Sequence, residues 1–233
     1  MFPQRPNPPR QLRGTMPRTG LRNAARYANP RLFVVVVRTM SEVRWGILGA
    51  AKFAREFMGP ALALTSGGRL VALATSDPAK AEPFRAFAPD LRVHAGYEAL
   101  LADPGIDAVY IPLPNRLHVE WSLKAMRAGK HVLCEKPMAM QASEFDTLIT
   151  ARDAVGVLAA EAFMIVHPPQ WQRGMETVTE RWPAVNHCEL QVAAFNCTVR
   201  EGGAYACPLE FSRGTQLMMD AAFASASSLR PSE

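Results

Sequence analysis

Short apolar runs alternate with helix-like segments along the chain between residues 43 and 163. The runs are VRWGIL (43–48), RLVALAT (69–75), RVHA (92–95), DAVYIP (107–112), HVLCE (131–135) and GVLAAEAF (156–163). Near-continuous apolar runs predict strands that are buried on both faces. The segments 52–64, 115–129 and 141–156 have helical patterns, and the last two end at glycines. This alternation predicts an α/β fold with a doubly wound parallel sheet and right-handed crossovers.

The alternation stops after about residue 174. The clearest pattern there is LEFSRGTQLMMDAAFA (209–224), which predicts two strands around a turn at Arg213-Gly214. We therefore expect an incomplete α+β segment to follow the parallel sheet.

The basic charge of the chain is concentrated at its start. Residues 1–39 hold eight arginines and no acidic residue, so the 26 basic residues of the chain fall to 18 against 21 acidic ones when this segment is removed. The remaining net charge of −3 argues against nucleic acid as a partner. We expect residues 1–40 to be a disordered leader and Met40 to be the natural start, since prolines disfavour the amphipathic helix of a transit peptide.

Composition excludes other classes of protein and site. No apolar run approaches the roughly 20 residues of a membrane helix, so no membrane partner is expected. The four cysteines form no C-x-x-C pair, which argues against a zinc or dithiol site and predicts no metal. Reduced cysteines are typical of a cytoplasmic protein.

A small-residue turn follows the first predicted strand and opens a helix. Its candidate cofactor-binding residues are Gly49, Ala50, Ala51, Lys52 and Phe53. They fit the dinucleotide pattern G-x-G-x-x-G/A loosely, with alanine at the second glycine and Ala54 at the last position. Gly49 would make the tight turn, and a pyrophosphate would lie at the helix N-terminus. Small residues also occur in turns for packing reasons alone.

The second predicted strand ends in residues with hydroxyl side chains. NAD-specific sites have an acidic residue at this position. Thr75 and Ser76 occupy this position, with Lys80 and Arg55 nearby, which favours the 2′-phosphate of NADP while leaving NAD possible. Alternatively, or in addition, Asp77 caps the next helix.

Two further loops follow the fourth and fifth strands. Pro112 and Pro114 stiffen the first loop, where Asn115 and His118 are candidates for lining a nicotinamide pocket, although Asn115 can also serve as a cap and His118 can lie on the surface. In the second loop, Glu135 and Lys136 precede a proline at the sheet edge where ligands bind. A partly desolvated lysine can transfer a proton near neutral pH, whereas most lysines are plain surface residues.

Three stretches resemble the family of glucose–fructose oxidoreductase, inositol dehydrogenase and MocA-type proteins. They are WGILGAAKFA, PNRLHVEWSLKAMRAGKHVLCEKPMAM and EAFMIVHPPQWQR. The last is similar to the NADP-dependent dihydrodiol and D-xylose dehydrogenases. The resemblance implies a Rossmann domain over residues 41–160 and a partial substrate or oligomerisation domain over residues 161–233.

The resemblance also implies hydride transfer between NADP, or NAD, and a hydroxyl carbon of a sugar, cyclitol or diol. It assigns the proton transfer to Lys136, a supporting role to Glu135 and a substrate contact to His167. A homo-oligomer is implied only if the C-terminal sheet is complete.

The chain departs from the family after residue 174. The family's Asp-x-Gly and the Tyr or His residues that follow it have no counterpart here, so residues 174–233 are either a shortened domain or a shifted reading frame. A non-catalytic nucleotide-binding remnant is therefore the alternative function. A methyltransferase shares the glycine turn but gives no reason for Glu-Lys-Pro.

Overall fold

The computed structural model describes residues 41–168 and 185–228 of the chain. Six parallel strands form one sheet in the order β3-β2-β1-β4-β5-β6. Their bounds are β1 Val43–Leu48, β2 Gly68–Ala74, β3 Arg92–His94, β4 Ala108–Ile111, β5 His131–Cys134 and β6 Ala159–Glu161. Each coincides with a predicted apolar run, except that β2 begins one residue earlier, and the topology confirms the doubly wound parallel sheet. The leader lies outside the described residues.

Helices connect the strands and cover both faces of the sheet. They are α1 Gly59–Leu64, α2 Tyr97–Leu101, α3 His118–Arg127, α4 Ala142–Val155, α5 His187–Glu201 and α6 Leu209–Ser228. A π-helical segment, Ala54–Met58, leads into α1, and 3₁₀ segments span Pro78–Ala86, Asn115–Leu117 and Met164–Val166. As predicted, α4 ends at Gly156, whose φ of 76° is the left-handed conformation that glycine adopts most easily.

The alternation of side chains along the strands divides the core into two layers. The first layer includes Trp45, Tyr110 and Leu133, and it packs with α1 and α5. The second includes Val109 and Val132, and it packs with α3 and α4. Both layers are apolar because the strands are central and covered on both faces, as in other parallel sheets.

Helix α5 covers the first layer and was not predicted. The indole of Trp45, which is fully buried, donates a 2.9 Å hydrogen bond to the side chain of Asn196 and packs 5.0 Å from the ring of Phe195. Asn186 begins the helix and accepts hydrogen bonds from the backbone N–H groups of Cys188 and Glu189. The segment after residue 185 therefore packs directly on the parallel sheet.

The predicted hairpin over residues 209–224 is wrong, because these residues lie in the continuous helix α6. It packs along α4, where Arg152 forms a bidentate ion pair with Glu210 at 3.0 and 2.6 Å. Arg213 pairs with Asp146 at 2.6 Å. The helix continues through Gly214, although a glycine in a helix interior costs about 1 kcal/mol. Pro208 forms one isolated antiparallel bridge with Ala160.

Within the described ranges, no helix combines the length and the apolar composition that crossing a bilayer requires.

Candidate functional site

Four neighbouring strands end at the same edge of the sheet and place the predicted residues there. Leu48 of β1 is in register with Ala74 of β2, and Ile111 of β4 with Cys134 of β5. The next residues in the chain are Gly49, Thr75, Pro112 and Glu135. The chain leaves β1 and β4 in opposite directions, and doubly wound sheets bind ligands in the crevice at the carboxyl ends of two such strands.

Gly49 makes the turn that the sequence predicted. Its φ is 94°, and its N–H donates a 2.9 Å hydrogen bond to the carbonyl of Ala74. A Cβ at this position would lie 3.0 Å from Cδ2 of Leu113 and 3.4 Å from Oη of Tyr97. Both the backbone conformation and the available space therefore require glycine, as a close approach to a phosphate also would.

The rest of this turn leads into the helix over residues 52–64. Ala50, Ala51 and Phe53 are half-buried, whereas Lys52 is exposed. Ala54 is fully buried in the first core layer, where its small side chain lets the helix pack closely on the sheet. The helical N–H groups of this segment begin directly after the small residues, in the position that favours an anion.

The hydroxyl residues after β2 have different environments. Thr75 is buried, and its hydroxyl accepts a 3.2 Å hydrogen bond from the N–H of Asp77. Asp77 caps the 3₁₀ segment by accepting from the N–H of Ala79 at 3.1 Å, as predicted. Ser76 and Lys80 are exposed and so are open to a ligand.

The loop after β4 contradicts two of the alternatives, a capping role for Asn115 and a surface position for His118. Pro112 is half-buried, and Pro114 and Asn115 are exposed, but the side chain of Asn115 caps no helix. His118 is fully buried, with its ring nitrogens 2.8 Å from the carbonyl oxygen of Pro137 and 2.6 Å from that of Leu113. A ring buried in this way has no surface left for direct contact with a cofactor. Sequence shows the helical position of a histidine but not its burial.

Glu135 is held by a tyrosine that sequence reasoning missed. The hydroxyl of Tyr110 donates a 2.6 Å hydrogen bond to one carboxylate oxygen of Glu135, and the N–H of Lys136 lies 3.3 Å from the other. Burial raises the pKa of Glu135 above its ordinary value, and the bond from Tyr110 opposes that rise. The hydroxyl of a tyrosine in a buried strand needs a hydrogen-bond partner. This requirement is the sequence signal that could have revealed the role of Tyr110.

Lys136 is exposed at the edge, next to the half-buried Glu135. Its peptide bond to Pro137 is cis. The loop is fixed one residue later, where the N–H of Met138 donates a 2.8 Å hydrogen bond to the carboxylate of Glu161. The ammonium of Lys136 has no hydrogen bond or ion pair with residues 41–168 and 185–228 and is therefore available to a ligand.

His167 lies in a buried aromatic group. Its Nε2 is 3.2 Å from the hydroxyl of Tyr205, and the two rings are 5.2 Å apart. Burial lowers the pKa of His167 to about 4, so the ring is neutral at pH 7. This environment does not support the predicted substrate contact in the conformation described. The adjoining residues 169–184 lie outside the described ranges, as does the end of the EAFMIVHPPQWQR stretch.

Across the part of the chain that the structure describes, no three His, Cys, Asp or Glu side chains form a group that could hold a metal ion. All four cysteines are free thiols.

Known proteins match the region that contains this edge. The family model for the GFO/IDH/MocA oxidoreductase family with an NAD-binding Rossmann fold matches residues 43–163. An uncharacterized oxidoreductase of Rhizobium meliloti is 44% identical over 60% of this chain and 42% of its own length. The D-xylose 1-dehydrogenase (NADP(+)) 2 of Haloferax volcanii is 40% identical over 60% of this chain and 43% of its own length.

A solved structure also matches this chain. A 3-ketoreductase from Actinomadura kijaniata, in complex with NADP and TDP-benzene in an open conformation, matches with a TM-score of 0.54 and 37% identity. The match covers 57% of this chain and 42% of that protein. The chain thus spans less than half the length of these relatives.

Proposed function

Because the chain belongs to the GFO/IDH/MocA oxidoreductase family, whose Rossmann fold binds NAD, we propose that it binds a nicotinamide dinucleotide at the β1–β4 crevice. We further propose hydride transfer between this cofactor and a hydroxyl carbon of a sugar, cyclitol or diol. The cofactor supplies the hydride chemistry, and the protein supplies binding, orientation and proton transfer. The observation that carries the proposal is the Gly49 turn, in which a Cβ would meet Leu113 at 3.0 Å.

The pyrophosphate of the cofactor would bind at the Gly49 turn. The helical N–H groups that follow Ala51 offer hydrogen bonds and the positive end of a helix dipole. The exposed Lys52 adds a positive charge beside them. Small side chains at positions 49–51 let the phosphate oxygens approach the backbone.

The adenosine end would favour NADP over NAD. No carboxylate occupies the two positions directly after β2, where an acidic side chain would bind a ribose 2′-hydroxyl and repel a 2′-phosphate. The exposed Ser76 and Lys80 supply a hydroxyl and a cation instead. Relatives named as NADP-dependent or solved with NADP support this preference.

Lys136 would transfer the proton at the substrate oxygen. During oxidation of the alcohol, its neutral amine would accept the hydroxyl proton, and its ammonium would return a proton during reduction. The carboxylate of Glu135, held by Tyr110 and by the backbone N–H of Lys136, would place a negative charge beside the reacting group. Pro112, Pro114 and Asn115 would line the other side of the nicotinamide pocket.

The substrate class follows from the relatives, whose names include a xylose dehydrogenase and reductases of dTDP-sugars. We also propose a cytoplasmic location. A homo-oligomer would form only if the C-terminal sheet were complete, and the described residues 185–228 hold two helices instead. The competing function is a nucleotide-binding protein without turnover, which is favoured by the lack of the family's second set of catalytic residues in residues 174–233.

Titration of the full chain with NADPH and with NADH, followed by cofactor fluorescence, tests the proposal. Saturable binding that is tighter for NADPH is expected. Binding of neither cofactor would contradict the proposal, and binding without turnover on any sugar or diol would favour the competing function.

A further inference from the structure

His118 connects two loops that the proposed cofactor and substrate both require. Its Nε2 lies 2.6 Å from the carbonyl oxygen of Leu113, in the loop after β4. Its Nδ1 lies 2.8 Å from the carbonyl oxygen of Pro137, in the loop after β5. His118 is the first residue of α3, so a single ring joins the start of this helix to both loops.

The two carbonyl partners constrain which ring nitrogens of His118 act as donors. A carbonyl oxygen can only accept a hydrogen bond, so both bonds form together only when both ring nitrogens carry hydrogen. A ring with one N–H satisfies one carbonyl and turns a lone pair toward the other.

The connection extends to both parts of the proposed site. Pro137 directly follows Lys136, so the bond from Nδ1 holds the backbone one residue from the proposed proton-transfer group. Leu113, the other partner of His118, lies next to the Gly49 turn. Its Cδ2 is 3.0 Å from the position that a Cβ on Gly49 would occupy. Leu113 therefore adjoins the Gly49 turn, and His118 connects Leu113 to the Lys136 loop.

We propose that His118 is a positioning residue that sets the Lys136 loop relative to the Gly49 turn, so that the bound nicotinamide and the lysine ammonium adopt a fixed mutual geometry. The proposal rests on the proposed function for the roles of Gly49 and Lys136. It assigns His118 no contact with cofactor or substrate. Errors of about 1 Å in such geometry cost roughly 10²-fold in rate, which gives an indirectly acting residue a large effect.

Two variants of His118 and one matched control test this role. His118→Phe keeps a planar ring in the buried site and removes both donors. His118→Gln retains two N–H donors on one nitrogen. Lys130→Met is the control, because Lys130 is also buried and also donates to two backbone carbonyls, those of Asp103 and Ile106, each at 2.8 Å, at the opposite edge of the sheet.

Hydrogen exchange measured on the full chain gives a readout that does not depend on activity. We expect His118→Phe to speed exchange in the segments 111–118 and 134–141 more than in the rest of the sheet. Lys130→Met should speed exchange around residues 103–107 and leave 134–141 unchanged, and His118→Gln should restore part of the protection. Equal exchange at 134–141 in wild type and His118→Phe would overturn the proposal.

Cofactor binding and kinetics complete the test. In His118→Phe, kcat should fall by roughly tenfold or more, the equivalent of one net hydrogen bond, with a smaller change in the KM for substrate. A fall in kcat that Lys130→Met reproduces after matching for stability would show that His118 serves folding alone. If wild type binds no NADPH, the proposed function fails, while the exchange comparison still decides whether His118 fixes the Lys136 loop.

Discussion

The hydroxyl of Tyr110 donates a 2.6 Å hydrogen bond to the carboxylate of Glu135, which precedes the proposed proton-transfer lysine. Tyr110 lies in the central strand β4 and is fully buried, so water does not compete for the hydrogen bond that its hydroxyl donates. Burial raises the pKa of Glu135. The bond from Tyr110 acts against this rise, because it stabilises the ionised carboxylate. The core of the Rossmann sheet thus contributes directly to the electrostatics of its edge.

Replacing Tyr110 with phenylalanine should raise the pKa of Glu135 further. The ring still fills the core, but the donor that favours the ionised carboxylate is lost. Any step that requires ionised Glu135 should then begin at higher pH, so the acid limb of the kcat/KM profile moves toward neutrality. Trp45→Phe, which removes a buried donor to Asn196 far from the edge, is the control and should leave that limb in place. If Tyr110→Phe leaves the acid limb of the kcat/KM profile unchanged, the reaction does not depend on the ionisation of Glu135.

Lys136→Ala should abolish turnover and preserve NADPH binding. The exposed ammonium has no hydrogen bond or ion pair within the described part of the chain, so its removal leaves no buried group unpaired. Loss of a general acid–base group typically lowers kcat by about 10²–10⁴-fold. The measurements are kcat and the NADPH dissociation constant, with Lys124→Ala on the outer face of α3 as the control. Turnover equal to wild type would exclude the proposed role.

Gly49→Ala should prevent cofactor binding and destabilise the fold. The φ of 94° costs an alanine about 1–2 kcal/mol, and its Cβ would also lie 3.0 Å from Leu113. Gly129→Ala is a matched control, because Gly129 has a φ of 73° with no atom within 4 Å of the added Cβ. Both variants should lose stability in urea unfolding, but Gly129→Ala should keep NADPH affinity. Equal affinity in both variants would contradict a cofactor site at the Gly49 turn.

Two histidines with lowered pKa values should make stability depend on pH between about 6.5 and 4. Burial lowers the pKa of His131 to about 4 and that of His167 to about 4, from an ordinary value of 6.5. Nδ1 of His131 also accepts a 2.8 Å hydrogen bond from the N–H of Leu158, which requires that nitrogen to be unprotonated. Below pH 6.5 the unfolded chain therefore binds protons that the folded chain excludes, and folding becomes less favourable.

The free energy of unfolding should be constant from pH 8 to about 7 with respect to these groups and fall as the pH drops toward 4. Each pKa unit corresponds to about 1.4 kcal/mol, so His131 alone contributes roughly 2–3 kcal/mol. Urea unfolding at pH 7, 5.5 and 4.5 measures this change. His131→Asn removes one titrating ring and should make the free energy of unfolding depend less steeply on pH. If the variant and the wild type show the same dependence, groups other than His131 cause it. The lowered pKa values of Asp103 and Asp107 act in a separate window, below about pH 4.

The strands and the edge that they form were predictable from sequence, because a parallel sheet leaves near-continuous apolar runs. The same rule located Gly49, Thr75 and Glu135 at neighbouring strand ends. Two other features had no local signal. His118 lies at a helical position that looks solvent-facing, and only the fold shows that Leu113 and Pro137 enclose it. The partnership of Tyr110 and Glu135 spans 25 residues and needs the strand register.

The region after residue 185 shows tertiary contacts overriding local preference. Arg213-Gly214 has the composition of a turn, and the residues around it have no clear helical stripe. This stretch is nevertheless a continuous helix, and Glu210 and Arg213 form ion pairs with α4. The sequence of α6 gives no sign of these partners, since they lie about 60 residues earlier in the chain.

Gly214→Ala distinguishes the helix from the hairpin that the sequence suggested. In α6, Gly214 is exposed and has no atom within 4 Å of an added Cβ, so alanine should stabilise the protein by about 0.5–1 kcal/mol. In a tight hairpin turn the glycine would need a positive φ, and alanine would destabilise the protein instead. The sign of the change in urea unfolding therefore decides between the two structures. Gly129→Ala, at a position with a φ of 73°, provides the destabilised reference in the same chain.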